Sequence, residues 1–483
     1  MRTALSAPHR PREAAALTAQ PPANGKDEGA RTALRLPRLW FAAAVVACWG
    51  TVLLVYPFAD NPFRLPKQLF AVTALTVMFA VDAVIRAGIA TPRNEAPVRG
   101  GGPRLPAWFL AWAALALWSL AAVPLQGVNL YVSLPQTLNL AAYGVYALAI
   151  AHNLAGPENA ALRARLLQAL LLLGAIEGVY GMVQFLGFDP VFEPARGDYA
   201  GRLLSAGTIG TPMLFGELLG VLGVVAAGAV VAGTRPRQTW PGLAALAAIG
   251  LGLAASLTRS AIASLGFALL VLAAVLRWRA PELWHRAGRR LLVIVAAFPA
   301  AIAGVALLSP ALRWRFTALA SPLEGSGGLK LFYLRFVAYM IAEKPVAGHG
   351  LGSFPVQYYE AQAHYLPELN LPLARGYTLV HQAHNDPAQL FAELGGVGLL
   401  LGFAALLAFM RRCLAAMRNE DATDRDRLVV AFLAAAVLAC VVSSLTGFPF
   451  HSAPNALVLA TLIGLAEASC PRAHALRWYR RLL

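Results

Sequence analysis

The sequence predicts an all-α polytopic membrane protein with about twelve spanning helices and one long, helical, outward-facing loop. Three observations lead there. Hydrophobic residues make up 58% of the 483 residues and charged residues only 13%, with a mean hydropathy of +0.59, whereas soluble domains are about a quarter charged. Apolar runs close to the ~20 residues needed to cross hydrocarbon recur along the chain. The arginines that interrupt these runs collect on alternate loops. A soluble all-α protein with a large core is excluded on these grounds. So is the nucleic-acid binding that a net charge of +16 would indicate in a soluble chain.

Residues 1–37 are rich in Pro, Ala and Arg and read as a disordered cytoplasmic tail. No cleavage signal follows the first apolar run, so no signal peptide is expected. Nine apolar runs follow within 38–309: Leu39–Phe58, Gln68–Arg86, Ala107–Val123, Leu134–Ala151, Leu166–Leu186, Met213–Ala232, Gly242–Leu257, Ser260–Leu276 and Leu291–Leu308. Three more lie within 387–470, at Ala388–Met410, Leu428–Leu445 and Asn455–Ala468, before a basic tail over 471–483.

With this count, one set of loops collects Arg31, Arg35 and Arg38, then Arg93, Arg99 and Arg104, then Arg163 and Arg165, then Arg235 and Arg237. The same side receives Arg277, Arg279, Arg286, Arg289 and Arg290, then Arg411, Arg412 and Arg418, and finally Arg477, Arg480 and Arg481. The positive-inside rule makes that side cytoplasmic, so both termini are cytoplasmic and the 310–386 loop faces outward, into the periplasm of a Gram-negative cell. Cys48, Cys413, Cys440 and Cys470 sit in or beside apolar runs without metal-ligand spacing and read as inert helix residues with no disulfide.

The chemistry concentrates in the polar stretch from Leu308 to Glu393, too long for a mere connector. Arg335 lies there in LFYLRFVAYMIAEKP, an amphipathic helix with aromatics on its apolar face, where it pairs either with Glu343 or Glu360 or with an anion. Arg259 lies in SLTRS, where two apolar runs meet with almost no loop between them. A guanidinium at a membrane boundary either snorkels to the headgroups or holds a ligand, and arginine suits phosphate oxygens. Arg259 and Arg335 together would clamp a diphosphate. Arg196 and Arg202, in the short outward segment Asp189–Gly210, and Lys344 are further cations for substrate.

His381 and His384, three apart in VHQAHNDPAQLFAEL, fit one face of a helical turn. A metal pair is one reading, but no carboxylate or cysteine cluster completes it and Asp386 alone does not, so no metal is expected. A neutral imidazole near pH 7 is a natural general base. Asn385 and Asp386 before Pro387 read as an N-cap with proline opening the helix, which would hold His384 at the helix rim. PVAGHGLGSF follows no strand, so it reads as a tight turn folding the loop back over the membrane. Glu177 and Glu217 within apolar runs are either functional or interhelical hydrogen-bonding groups, and Glu393 pairs with a nearby arginine.

Four stretches, GTIGTPMLFGELLG, SLTRSA, RFVAYMIAEKPVAGHGLGSF and HNDPAQLFAELGGVGLL, resemble the O-antigen ligases, whose domain is shared with O-antigen polymerases and bacterial O-oligosaccharyltransferases. The resemblance runs from about Arg202 to Leu400, and its specific parts are the last two stretches; TRSA departs from the Ser-Arg-Gly of many members. It implies a GT-C-like fold and a metal- and cofactor-independent inverting glycosyltransferase in the bacterial inner membrane. The donor would be a glycan on undecaprenyl diphosphate and the acceptor the lipid A core oligosaccharide, with membrane lipids around it and no nucleic-acid partner. By motif position His384 resembles the family's essential histidine, Arg259 its turn arginine and Arg335 its loop arginine, with Arg196, Arg202, His381, Lys344 and Asn385 left as substrate contacts. Twelve spans, a mid-sized loop and the lack of a large C-terminal domain favour the ligase over the polymerase or protein-glycosylating enzyme. A transporter of lipid-linked sugars is the reading of another class.

Overall fold

The computed structural model describes residues 24–56, 63–89, 105–126, 130–189, 191, 205–308, 325–365 and 380–470. All of these are helices and connections, with no strand among them. The helices are α1 Asn24–Leu53, α2 Leu65–Ile89, α3 Ala107–Ala121, a single turn α4 Val123–Gln126, α5 Leu130–Asn153, α6 Ala160–Phe185, α7 Pro212–Ala232, α8 Pro236–Ala255, α9 Arg259–Arg279 and α10 Pro281–Leu308. They continue with α11 Gly325–Glu343, α12 Phe354–Tyr365, α13 Asp386–Met417, α14 Asp424–Ser444 and α15 Ala453–Ser469.

A helix covers most of each of the twelve predicted apolar runs. Eight described helices are long and apolar enough to cross a membrane, and α3 and α15 are shorter apolar helices of 15 and 17 residues. The protein is an all-α polytopic membrane protein. Burial ranks the helices from centre to edge. The spanning windows of α7 and α14 are 83% and 78% buried and that of α2 only 17%, which makes α7 and α14 the axis of the bundle. Helix α7 touches α6, α8, α9, α10, α14 and α15. Its run of Gly, Ala and Val keeps those neighbours close, the packing expected where lipid supplies no hydrophobic drive between helices.

At one end of the bundle, basic side chains satisfy the carbonyls that helix C-termini leave open. Arg163 donates to the Leu154 and Gly156 carbonyls at 2.8 and 2.6 Å, Arg290 to the Gly233 carbonyl and Arg427 to the Met417 carbonyl at 2.7 Å. Arg286 pairs with Asp424, and Arg412 with Glu467 at 3.2 Å.

A buried polar knot binds α1, α2 and α6. Thr208 donates its backbone N–H and hydroxyl to the Glu177 carboxylate at 3.0 and 2.5 Å. The ammonium of Lys67 donates to the Val52 carbonyl. Glu177 is therefore a satisfied interhelical anchor. Glu217 is different: both of its carboxyl oxygens are buried and bond to none of the described residues. All four cysteines are buried and reduced.

The stretch between α10 and α13 has a small core of its own, in which Tyr333, Phe336, Val337 and Met340 of α11 pack on Phe354, Tyr358 and Ala361 around α12. This is the amphipathic aromatic face read from the sequence.

Candidate functional site

The end of the bundle opposite the arginine-tied carbonyls is knit from four connections. The break between α8 and α9 is only Ser256–Thr258, and the Thr258 hydroxyl donates to the Pro212 carbonyl at 2.8 Å, tying the break to the start of α7. The turn between α14 and α15 is held to α13: Asp386 accepts the Phe450 N–H at 3.2 Å and hydrogen-bonds the His451 Nδ1 at 2.7 Å, and the Asn385 amide donates to the Leu445 carbonyl at 2.9 Å. The Asn455 amide donates to the Leu214 carbonyl at 3.1 Å. The Lys330 ammonium on α11 donates to the Thr446 carbonyl at 2.5 Å, which brings the loop helix onto the same surface.

Arg259 is the first residue of α9, half-buried, directly after the break. His384 stands two residues before α13, half-buried, its ring stacked on Tyr333 (centroids 5.8 Å, 26°) and edge-on to Phe448 (4.9 Å). Its Nδ1 is buried and bonds to none of the described residues. Burial, with the nearby Lys330 ammonium, lowers its pKa to about 4, so the imidazole is neutral at physiological pH.

Backbone strain marks the same two places. Among the described residues, only Leu257 and His384 are non-glycine residues with positive φ, both at 54°. One lies two residues before Arg259 and the other is the histidine itself. A left-handed conformation costs a non-glycine residue roughly 1–2 kcal/mol, most for a bulky side chain, and it persists only where the surroundings impose it.

Asn385 caps α13 as predicted, its side chain accepting the Ala388 N–H at 2.9 Å, although Asp386 rather than Pro387 is the first helical residue. The expectation that His381 and His384 share one face of a helical turn is corrected. Residues 381–385 are a bend outside the helix, with His381 exposed and His384 half-buried. Among the described residues no three His, Cys, Asp or Glu side chains are grouped to hold a metal.

Arg335 is exposed on α11, and Glu343 approaches His349 at 3.8 Å instead of pairing with the arginine. The charge of Arg259 acts on Lys330, on the same helix as Arg335. Lys344 is committed to the Gln126 carbonyl at 2.6 Å. Arg196 and Arg202 lie outside the described residues.

The PVAGHGLGSF turn docks into a break in α13. Gly395 (φ 67°) leaves the helix, and the carbonyls of Ala392 and Glu393 accept N–H groups from His349 (2.9 Å) and Gly350 (2.7 Å), while Gly396 N–H donates back to the Pro345 carbonyl at 2.8 Å. Glu393, expected to pair with an arginine, instead accepts from Phe354 N–H at 3.3 Å and the Gln389 amide at 3.1 Å. A Cβ at Gly348 (φ 71°) would run into the Glu393 carbonyl and the Gly395 nitrogen. Gly348→Ala is therefore expected to cost about 2 kcal/mol or more from conformation and displaced backbone, read as a lowered Tm of the purified protein in detergent. An unchanged Tm would mean that the turn does not brace α13.

His451 and Lys330 were not found from the sequence. Burial opposes charge on His451, but the Asp386 carboxylate outweighs it and raises the pKa. The Gln389 amide points its NH₂ at His451 Nε2 (3.1 Å), because its oxygen takes the Ala383 N–H at 2.9 Å. This pair braces the turn that carries Phe448 under His384. The available signal was the polar GFPFHS break between two apolar runs.

Fold and site together define a multi-pass membrane protein with a neutral histidine and a cationic pair assembled at one end of its helix bundle. Residues 243–403, which contain Arg259, Lys330, Arg335 and His384, match the model of the O-antigen ligase family. Members of that family are glycosyltransferase-like enzymes. No relative among curated proteins matches the chain.

Proposed function

We propose that the protein is an O-antigen ligase of the bacterial inner membrane, transferring a glycan from undecaprenyl diphosphate to the lipid A core oligosaccharide at its periplasmic face. The observation that carries this reading is the pair of strained backbone positions, which fix a neutral His384 and the guanidinium of Arg259 at the same end of the bundle within the matched domain.

In this reading His384 takes the proton of an acceptor hydroxyl as its oxygen attacks the anomeric carbon. The bond from that carbon to the diphosphate oxygen breaks, its electron pair leaves with the diphosphate, and the configuration inverts. Arg259 and Arg335 stabilise the charge that develops on the leaving group. Asn385 holds the histidine in place, while His381, Arg196 and Arg202 are assigned to glycan binding. The stacked Tyr333 and the Phe448 edge keep water from the imidazole and so keep it uncharged.

The low pKa of His384 sets the pH dependence. The imidazole must be neutral to accept a proton, and it is neutral above about pH 4. The acid limb of kcat/KM is therefore expected near pH 4, against about 6.5 for an ordinary histidine. The bound diphosphate's negative charge favours the imidazolium, so the limb of kcat lies at higher pH than that of kcat/KM. A kcat/KM limb near 6.5 would contradict a desolvated base. The acceptor is tested by expression in a Gram-negative strain lacking its own ligase. A restored ladder of long-chain lipopolysaccharide is expected, and glycosylation of a protein or a lipid-linked glycan instead would replace the acceptor.

A further inference from the structure

Arg259 is not the only cation at this site. We propose that Lys330 is a further diphosphate-binding residue of this site; this rests on the lipid-diphosphate reading above. Lys330 is half-buried near the start of α11, and its ammonium donates to the Thr446 carbonyl at 2.5 Å. An ammonium has three donors, so two remain. It forms no ion pair with a described carboxylate, yet its charge acts on His384, and both Arg259 and Glu217 act on it.

Glu217 lies on the axial helix α7, 2% exposed, with neither oxygen hydrogen-bonded to a described residue, and it packs against Gly447, the neighbour of Thr446. A carboxyl with no donor inside a spanning helix is costly and by default functional. Lys330 on Thr446, and His384 between Tyr333 of the same helix α11 and Phe448 of the same turn, put a cation and a neutral imidazole on one surface that suits an anion. A diphosphate has oxygens enough for Lys330 beside the arginines, an arginine binding bidentately and the lysine as a point charge. Burial and Arg259 together lower the Lys330 pKa. An arriving anion relieves that penalty, so the ammonium gains most when phosphate is bound.

The alternative is that Lys330 only tethers α11 to Thr446. Affinities of purified protein in lipid nanodiscs for undecaprenyl diphosphate and undecaprenyl phosphate separate the two. Wild type is expected to prefer the diphosphate. Lys330→Gln should weaken diphosphate binding about tenfold, the loss of one charge-assisted contact, and shrink the preference over the monophosphate, while Lys330→Arg retains both. Equal loss for both lipids in Lys330→Gln, or unchanged diphosphate affinity, would each overturn the assignment. Wild type that binds neither lipid would overturn the lipid-diphosphate reading itself, and the lysine assignment with it.

Discussion

Replacing His384 with alanine is expected to lower glycan transfer by about 10²–10⁴-fold, the span that a positioned general base contributes. The protein should remain in the membrane at wild-type level, because the side chain contributes ring contacts to Tyr333 and Phe448 but its Nδ1 bonds to no described residue. Loss of the left-handed residue's strain works in the same direction only with glycine, so His384→Gly should be at least as stable as His384→Ala and equally inactive. The measurement is turnover of lipid-linked glycan by purified variants, normalised to folded protein. Activity within a few-fold of wild type would remove His384 from the chemistry and move attention to His451, whose Asp386 partner makes it the more basic imidazole.

The second large effect falls on Arg259. Its loss to alanine is expected to cost about 10²–10³ in rate, by analogy with removal of a preorganised donor to a developing anion. Arg259→Lys should recover little of this, since an ammonium cannot reproduce the bidentate fork. The break that presents Arg259 is held by Thr258 on the Pro212 carbonyl and by the left-handed Leu257, so Tm should stay near wild type. A variant that retains rate but loses stability would make the arginine a structural snorkelling residue.

What could be read from the chain follows the range of the forces involved. Apolar runs report local solvation, so a helix covers most of every predicted run. The Asn385 cap was legible because its partner is three residues away. SLTRS was legible because two apolar runs cannot meet there without a break. Lys330 was not, because its significance comes from Thr446 and Glu217, more than 100 positions distant in sequence. The same holds for Asp386 with His451 and for the docking of His349 and Gly350 on the carbonyls of α13. The helical placement of His381 and His384 failed because a spacing of three says nothing about a positive φ at His384, which the surrounding packing imposes.

Transfer from a lipid diphosphate is tested most directly with purified protein in liposomes supplied with undecaprenyl-diphosphate-linked glycan and lipid A core. Release of undecaprenyl diphosphate in step with glycan appearing on the core, abolished in His384→Ala, is the expected result. Movement of the intact glycolipid across the bilayer with its glycan–diphosphate bond unbroken would contradict it and make the protein a transporter.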